Sequence, residues 1–180
     1  MQTYIALLRG INVGGHHKLP MKELRTLLEN LGLQNVRTYI QSGNVVFQSQ
    51  EKDRSRLARQ ISADIKKEHG FEPDVQLLTA EEMEKAIQSN PFPEGEPEPK
   101  SLHLFFLAAV PPKPNLEAID ALRTENERFA LIDKVFYLHA PDGIGRSRLV
   151  EKFGRYIDVS MTARNWRTVS KIMEMVREIG

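Results

Sequence analysis

The chain of 180 residues contains no cysteine. That removes disulfides, thiolate metal sites and cysteine nucleophiles together. It lacks an excess of charge of either sign: 25 lysines and arginines stand against 24 aspartates and glutamates, a net of +1. A generic polyelectrolyte attraction to nucleic acid or to acidic membranes is thereby excluded. It also lacks any apolar run near the roughly 18 residues of a membrane helix. The first residues, Met1-Gln2-Thr3-Tyr4-Ile5-Ala6-Leu7-Leu8-Arg9, carry no basic leader and too short an apolar stretch for a signal peptide. No membrane association and a cytoplasmic location are the expectations. What is present, 41% hydrophobic and 27% charged residues, is the composition of an ordinary globular protein.

Hydrophobic periodicity divides the chain into two passes through the same pattern. Thr3 to Leu8 is an apolar strand, followed by a glycine-rich loop, Gly10-Ile11-Asn12-Val13-Gly14-Gly15-His16-His17-Lys18. Pro20 suits the first turn of a helix. Met21, Leu24, Leu27, Leu28 and Leu31 lie on one helical face, which Gly32 ends. Val36 to Ile40 and Val45 to Phe47 read as strands joined by a hairpin-type turn at Ser42-Gly43-Asn44. Leu57, Ile61 and Ile65 mark a second helix, Val75 to Leu78 a fourth strand, and Thr79-Ala80-Glu81-Glu82 a capping box opening a third helix. Four prolines and three glutamates then fall within Pro91 to Pro99, which predicts an extended, exposed connection over 91–100.

The second pass begins with the strand Leu102 to Val110 and a helix marked by Leu116, Ile119 and Leu122. Arg128 to Ile132 and Val135 to Leu138 flank a tight Asp133-Lys134 turn. Helix is predicted from Ser147 to about Arg155, strand from Ile157 to Met161, and a last helix opening at Thr162. Both passes run β-α-β-β-α-β-α. The β-α-β-β-α-β unit is the ferredoxin-like arrangement. The expectation is an α+β fold of two ferredoxin-like halves, 1–90 and 101–180, packed as one compact molecule. Tyr4 to Leu8 and Leu104 to Ala108 are apolar without alternation, so each is expected to be buried on both faces.

This topology brings the loop after the first strand and the turn between the second and third strands to one edge. Gly10–Lys18 should lie beside Ser42-Gly43-Asn44. Unshielded backbone N–H groups ahead of a helix form a layout that receives anions. Arg9 and Lys18 are candidate charges. The competing reading is that the glycines serve backbone geometry alone. The loop is neither a Walker A motif, since His16-His17 stand where Lys-Ser/Thr is required, nor a G-x-G-x-x-G motif.

A second candidate is Thr162-Ala163-Arg164-Asn165-Trp166-Arg167-Thr168. Read as a helix start, it places Arg164 and Arg167 where acids are favoured by about 0.3–1 kcal/mol each. Such a reversal points to an anionic partner or to a carboxylate of the same chain, with Trp166 on the core face or serving as a stacking platform. Charge is uneven along the chain: Gly143 to Arg177 holds eight basic and three acidic residues, while Glu81 to Glu98 holds six acids and one lysine. The five histidines lack metal-ligand spacing, and no H-E-x-x-H or G-x-S-x-G motif occurs. No metal and no cofactor is expected.

Taken together, Leu7 to Gly15, Lys18-Leu19-Pro20-Met21, Gln41-Ser42-Gly43-Asn44-Val45-Val46-Phe47 and Thr162 to Val169 resemble the bacterial family called domain of unknown function 1697. The resemblance covers essentially the whole chain. It implies two ferredoxin-like halves and no established activity. The positions matching its motifs are Arg9, Gly10, Asn12, Gly14, Gly15, Lys18, Ser42, Gly43, Asn44, Arg164, Asn165 and Trp166.

Three functional classes follow. The first is a binding module for a phosphate-bearing or other small anionic ligand, a nucleotide or a nucleic acid. Arg9, Lys18 and Arg164 would meet phosphates, while Asn12, Ser42, Asn44 and Asn165 would hydrogen-bond. Ser42 to Phe47 meets only part of the RNA-recognition strand pattern. The second is an enzyme on a small anionic substrate, with His16 or His17 as base beside Arg9 or Ser42. The third is a protein-interaction domain without a ligand.

Overall fold

The computed structural model describes residues 1–180. The chain forms eight strands and seven helices in an α+β fold with two four-stranded antiparallel sheets. Contacts group it into two units, Met1–Lys85 with Ser170–Gly180, and Ala86–Val169. No helix is long and apolar enough to cross a membrane.

In the first unit β1 (Gln2–Arg9) lies between β3 (Asn44–Ser49) and β4 (Asp74–Thr79), with β2 (Gln34–Tyr39) outside β3. The order is β2-β3-β1-β4. β1 and β2 are both antiparallel to β3, so they run the same way. The loop leaving β1 and the β2–β3 turn therefore emerge at one edge, as the sequence predicts. The helices α1 (Met21–Asn30) and α2 (Arg54–His69) pack Leu24, Leu28, Leu57 and Ile61 onto Tyr4, Ala6, Leu8, Val45 and Phe47. Ile5, Leu7 and Val46 point to the opposite face and are 0% exposed. Both faces of β1 are thus buried, which explains its unbroken apolar run.

The helix α3 (Ala80–Gln88) starts at the expected capping box. Thr79 Oγ1 accepts from the Glu82 N–H at 3.1 Å, and Glu82 Oε2 accepts from the Thr79 N–H at 2.9 Å. Substituting Thr79 by alanine is expected to lower stability by about 1 kcal/mol, measurable as a lower urea midpoint at unchanged m value.

The second sheet repeats the order as β6-β7-β5-β8. Its strands are β5 (Leu102–Leu107), β6 (Arg128–Ile132), β7 (Val135–His139) and β8 (Met161–Asn165). The registers match as well. Tyr4 stands opposite Phe47 and Thr79, while His103 stands opposite Leu138 and Asn165, so each faces the last residue of its fourth strand. Phe105, Phe136 and Phe153 centre the core of this unit, with the Phe136 and Phe153 rings 4.5 Å apart.

Five expectations are corrected. Ser147 to Arg155 is not one helix. Ser147 caps α5 (Arg148–Lys152), and Gly154 opens a separate turn, α6 (Gly154–Ile157), which Asp158 ends in the left-handed conformation at φ 57°. The strand expected at Ile157–Met161 lies at Met161–Asn165, and the last helix, α7 (Trp166–Ile179), begins at Trp166 rather than Thr162. β8 is an edge strand drawn out by pairing with β5 alone, so its polar residues carry no alternating signal. β2 ends at Tyr39, and Ile40 belongs to the turn.

Finally, 91–100 is exposed over most of its length, as expected, but it is not extended. It is a chain of tight turns around a 3-10 turn at Pro93–Gly95, closed by Gly95 N–H to Phe92 O, Glu96 N–H to Pro93 O and Glu98 N–H to Gly95 O. Phe92 is buried. Such turns need only a few N–H donors, which is why a proline-rich stretch can still fold compactly.

Candidate functional site

The edge at the end of β1 is built from residues that hold one another. Gly10 leaves the strand at φ 78°, and Ile11 and Leu19 sink into the core on either side of the loop. Between them, Val13 and His16 form an isolated antiparallel bridge, with the His16 N–H on Val13 O at 3.0 Å. Gly14 and Gly15 at its tip have φ 57° and 76°, the double positive φ of a tight type I′ reversal. His17 Nδ1 lies 2.9 Å from Gly10 O. A carbonyl only accepts, so Nδ1 carries the proton. The His17 ring lies flat on Phe71, centroids 4.6 Å apart.

Asn12 is the staple of the loop. Its Nδ2 donates to Leu19 O at 2.9 Å and to Gln41 O at 2.8 Å, and its Oδ1 accepts from the Leu19 N–H at 2.8 Å. The bond to Gln41 ties the loop to the β2–β3 turn. A second tie is the Leu8 N–H on Gly43 O at 2.9 Å. The approach there leaves no room for a side chain. A Cβ on Gly43 would stand 2.6 Å from Leu8 Cβ and 2.8 Å from Ile11 Cδ1, at φ 80°. Asn44 is fully buried, its Nδ2 donating to Tyr39 O at 3.1 Å and Ser42 Oγ at 2.9 Å. Arg9 is ion-paired with Asp74, its register partner on β4.

The edge therefore exists as predicted, bringing Gly10, Asn12, Gly14, Gly15 and Lys18 together with Ser42, Gly43 and Asn44. The amides of Asn12 and Asn44 are engaged inside the chain. Facing solvent are Gly10, Gly14, Gly15, His16, His17, Lys18, Gln41 and two apolar side chains, Val13 at 66% and Ile40 at 51% exposure. Sequence reasoning misses Val13 and Ile40. An isolated valine in a loop carries no signal, and Ile40 reads as the last residue of a strand. Phe71 and Asp74, which hold His17 and Arg9, are also invisible without the fold.

The second motif lies in the other unit. Arg164 is a strand residue opposite Leu104, not part of a helix start. Its Nη1 donates to Ala163 O at 2.8 Å, and burial pushes its guanidinium down to about 10, still cationic at neutral pH. The apparent reversal of helix-end charge at Arg164 therefore disappears. Asn165 is the cap of α7, its Oδ1 accepting from the Thr168 N–H at 3.0 Å, and Trp166 is buried. Thr79 and Asn165, not Thr79 and Thr162, are the corresponding caps.

The loop and turn residues of the first unit lie within a family match. A family described as "Protein of unknown function (DUF1697)" matches residues 1–137. The chain belongs to the DUF1697 family. A solved structure, the conserved bacterial protein SP0830 from Streptococcus pneumoniae, is similar to this DUF1697 chain at TM-score 0.70 and 26% identity. The similarity covers 97% of this chain and 98% of that one. No curated protein matches significantly.

This DUF1697 protein has one further concavity to compare with the loop edge. A cleft of about 630 Å³ opens between α1 and α2, lined by Lys22, Glu23, Asp64, Lys67, Glu68 and His69 among others. Its three carboxylates outnumber its two lysines, and His69 Nε2 faces Glu23 at 3.6 Å. That balance disfavours an anion, and the loop edge is the better candidate.

Proposed function

We propose that this protein is a binding module whose 10–18 and 40–44 edge receives a phosphate-bearing ligand with an apolar face, a nucleotide or a nucleic acid. The observation that carries this reading is the concentration of backbone strain on exposed residues. Six non-glycine residues in the chain have positive φ, and three of them, Asn12, His17 and Ile40, meet at this edge. Ile40, at φ 48°, is β-branched and half exposed, so no burial offsets its strain. Strain of about 1–3 kcal/mol per residue persists only where the surroundings impose it, and it clusters at ligand sites. Here the staples of Asn12, His17 and Gly43 impose it. They hold out the Gly14 and Gly15 amides with Lys18 and His16 for phosphate, and Val13 and Ile40 for a base. Against an enzyme, His17 is placed to hold the loop through Gly10 and Phe71 rather than to accept a proton from a substrate.

The reading takes the two units as duplicated ferredoxin-like halves, supported by the shared strand order and the matching registers. It takes the location as cytoplasmic.

Fluorescence anisotropy with a labelled single-stranded oligonucleotide, beside thermal shifts with nucleotides and inorganic phosphate, tests it. Lys18→Glu is expected to weaken binding at least tenfold and to flatten the salt dependence by about one phosphate contact. The absence of binding and of any thermal shift at low salt for all of these ligands refutes the proposal.

A further inference from the structure

The proline-rich segment lies against the second sheet, with Phe92 buried. Its own hydrogen bonds are local turns, from Gly95 to Phe92, Glu96 to Pro93 and Glu98 to Gly95. Around His139 the attachment is made by side chains. The Phe92 ring stacks on His139 with centroids 6.1 Å apart. The Gly95 backbone presses on the same imidazole, where a Cβ would come within 2.8 Å of Cδ2. Arg128, across from His139 on β6, lies 5.3 Å from the Phe92 ring centroid and is ion-paired with Glu94.

Arg128 Nη2 also stands 3.4 Å from His139 Nδ1. A guanidinium only donates, so Nδ1 must be the unprotonated acceptor of a neutral ring. We infer that Phe92, Glu94 and Gly95 with Arg128 and His139 form an acid-released latch, which holds the segment while His139 is neutral and frees it when His139 takes up a proton. Protonation sets an N–H against an N–H and a cation against a cation. The groups facing His139 are Arg128 from β6, Leu102 from β5, Tyr137 two residues earlier on β7, and Phe92 and Gly95 from the segment. No carboxylate belongs to this set, and the segment's Glu94 is engaged by Arg128.

Burial, and after it Arg128, holds the His139 imidazole below its usual range. The folded latch therefore prefers the neutral ring. Its contribution is complete above the unfolded value of about 6.5 and is lost as pH falls through the lower folded value. His103, also lowered by burial, titrates in the same direction, so a local readout is needed.

Hydrogen exchange of the full chain, followed by NMR at pH 7.5 and 5.5, supplies it. Protection factors at the Gly95, Glu96 and Glu98 amides are expected to fall several-fold, and by no more than about tenfold, at the lower pH, while the β5 amide of Leu107, bonded to Lys134 O, keeps its protection. His139→Gln should abolish the step. Arg128→Gln, which keeps a donor without the charge, should shrink it and carries the test if the first variant does not fold. Equal protection at both pH values overturns the latch. So does a step that survives both variants, or one that vanishes in His103→Leu.

Discussion

Gly43→Ala is expected to destabilise the protein by about 2–4 kcal/mol, combining an overpacked contact with the loss of a residue that tolerates positive φ. The obstructing atom at 2.6 Å is the Cβ of Leu8, next to the backbone of the central strand, and it cannot swing aside. Ile11 Cδ1 could turn, but Ile11 is buried and has little free space. The comparison that isolates this effect is Gly10→Ala or Gly15→Ala. Both positions have positive φ and nothing within 4 Å of a new Cβ, so each should cost only about 1 kcal/mol. Urea unfolding of the three variants decides the matter. If Gly43→Ala is no more destabilising than the other two, the close approach of loop and turn does not set the residue.

Asn12→Ala should cost a comparable amount, about 2–4 kcal/mol. Three hydrogen bonds worth about 0.5–1.5 kcal/mol each are lost, stranding the Leu19 N–H, Leu19 O and Gln41 O. Alanine also tolerates φ 53° poorly, by about 1 kcal/mol. Asn12→Gly separates the contributions: it relieves the backbone but not the bonds, and should recover about 1 kcal/mol of the loss. Equal stabilities for the alanine and glycine variants would show that strain at Asn12 is negligible and remove one support of the proposed site. Phosphate or oligonucleotide binding should fall in Asn12→Ala although no contact residue has changed, because the Gly14 and Gly15 amides are no longer held in place.

These two residues also show how far the sequence can be read. Gly43 in a Ser-Gly-Asn turn is legible as a hairpin glycine. That it must also admit Leu8 is not, because Leu8 lies 35 positions earlier and meets it only through the β1–β3 pairing. Asn12 is legible as a polar loop residue of unusual position. Sequence reasoning assigns its amide to a ligand, whereas the fold spends it on Leu19 and Gln41. Asn44 and Asn165 follow the same course, toward Tyr39 and Thr168.

The order of strands and helices as far as β7, the burial of both faces of β1 and β5, the capping box at Thr79 and the meeting of loop and turn at one edge were all determined by the sequence itself. Each rests on a local period, a local cap or a chain direction, and those are written in consecutive residues. Only the tertiary structure decided where β8 begins, that 91–100 folds into turns against His139 and Arg128, and which polar groups of the shared motifs are used inside the chain. Those outcomes depend on partners far away in sequence. An edge strand takes its limits from the strand it pairs with, and an asparagine amide takes whichever carbonyl the fold brings within 3 Å.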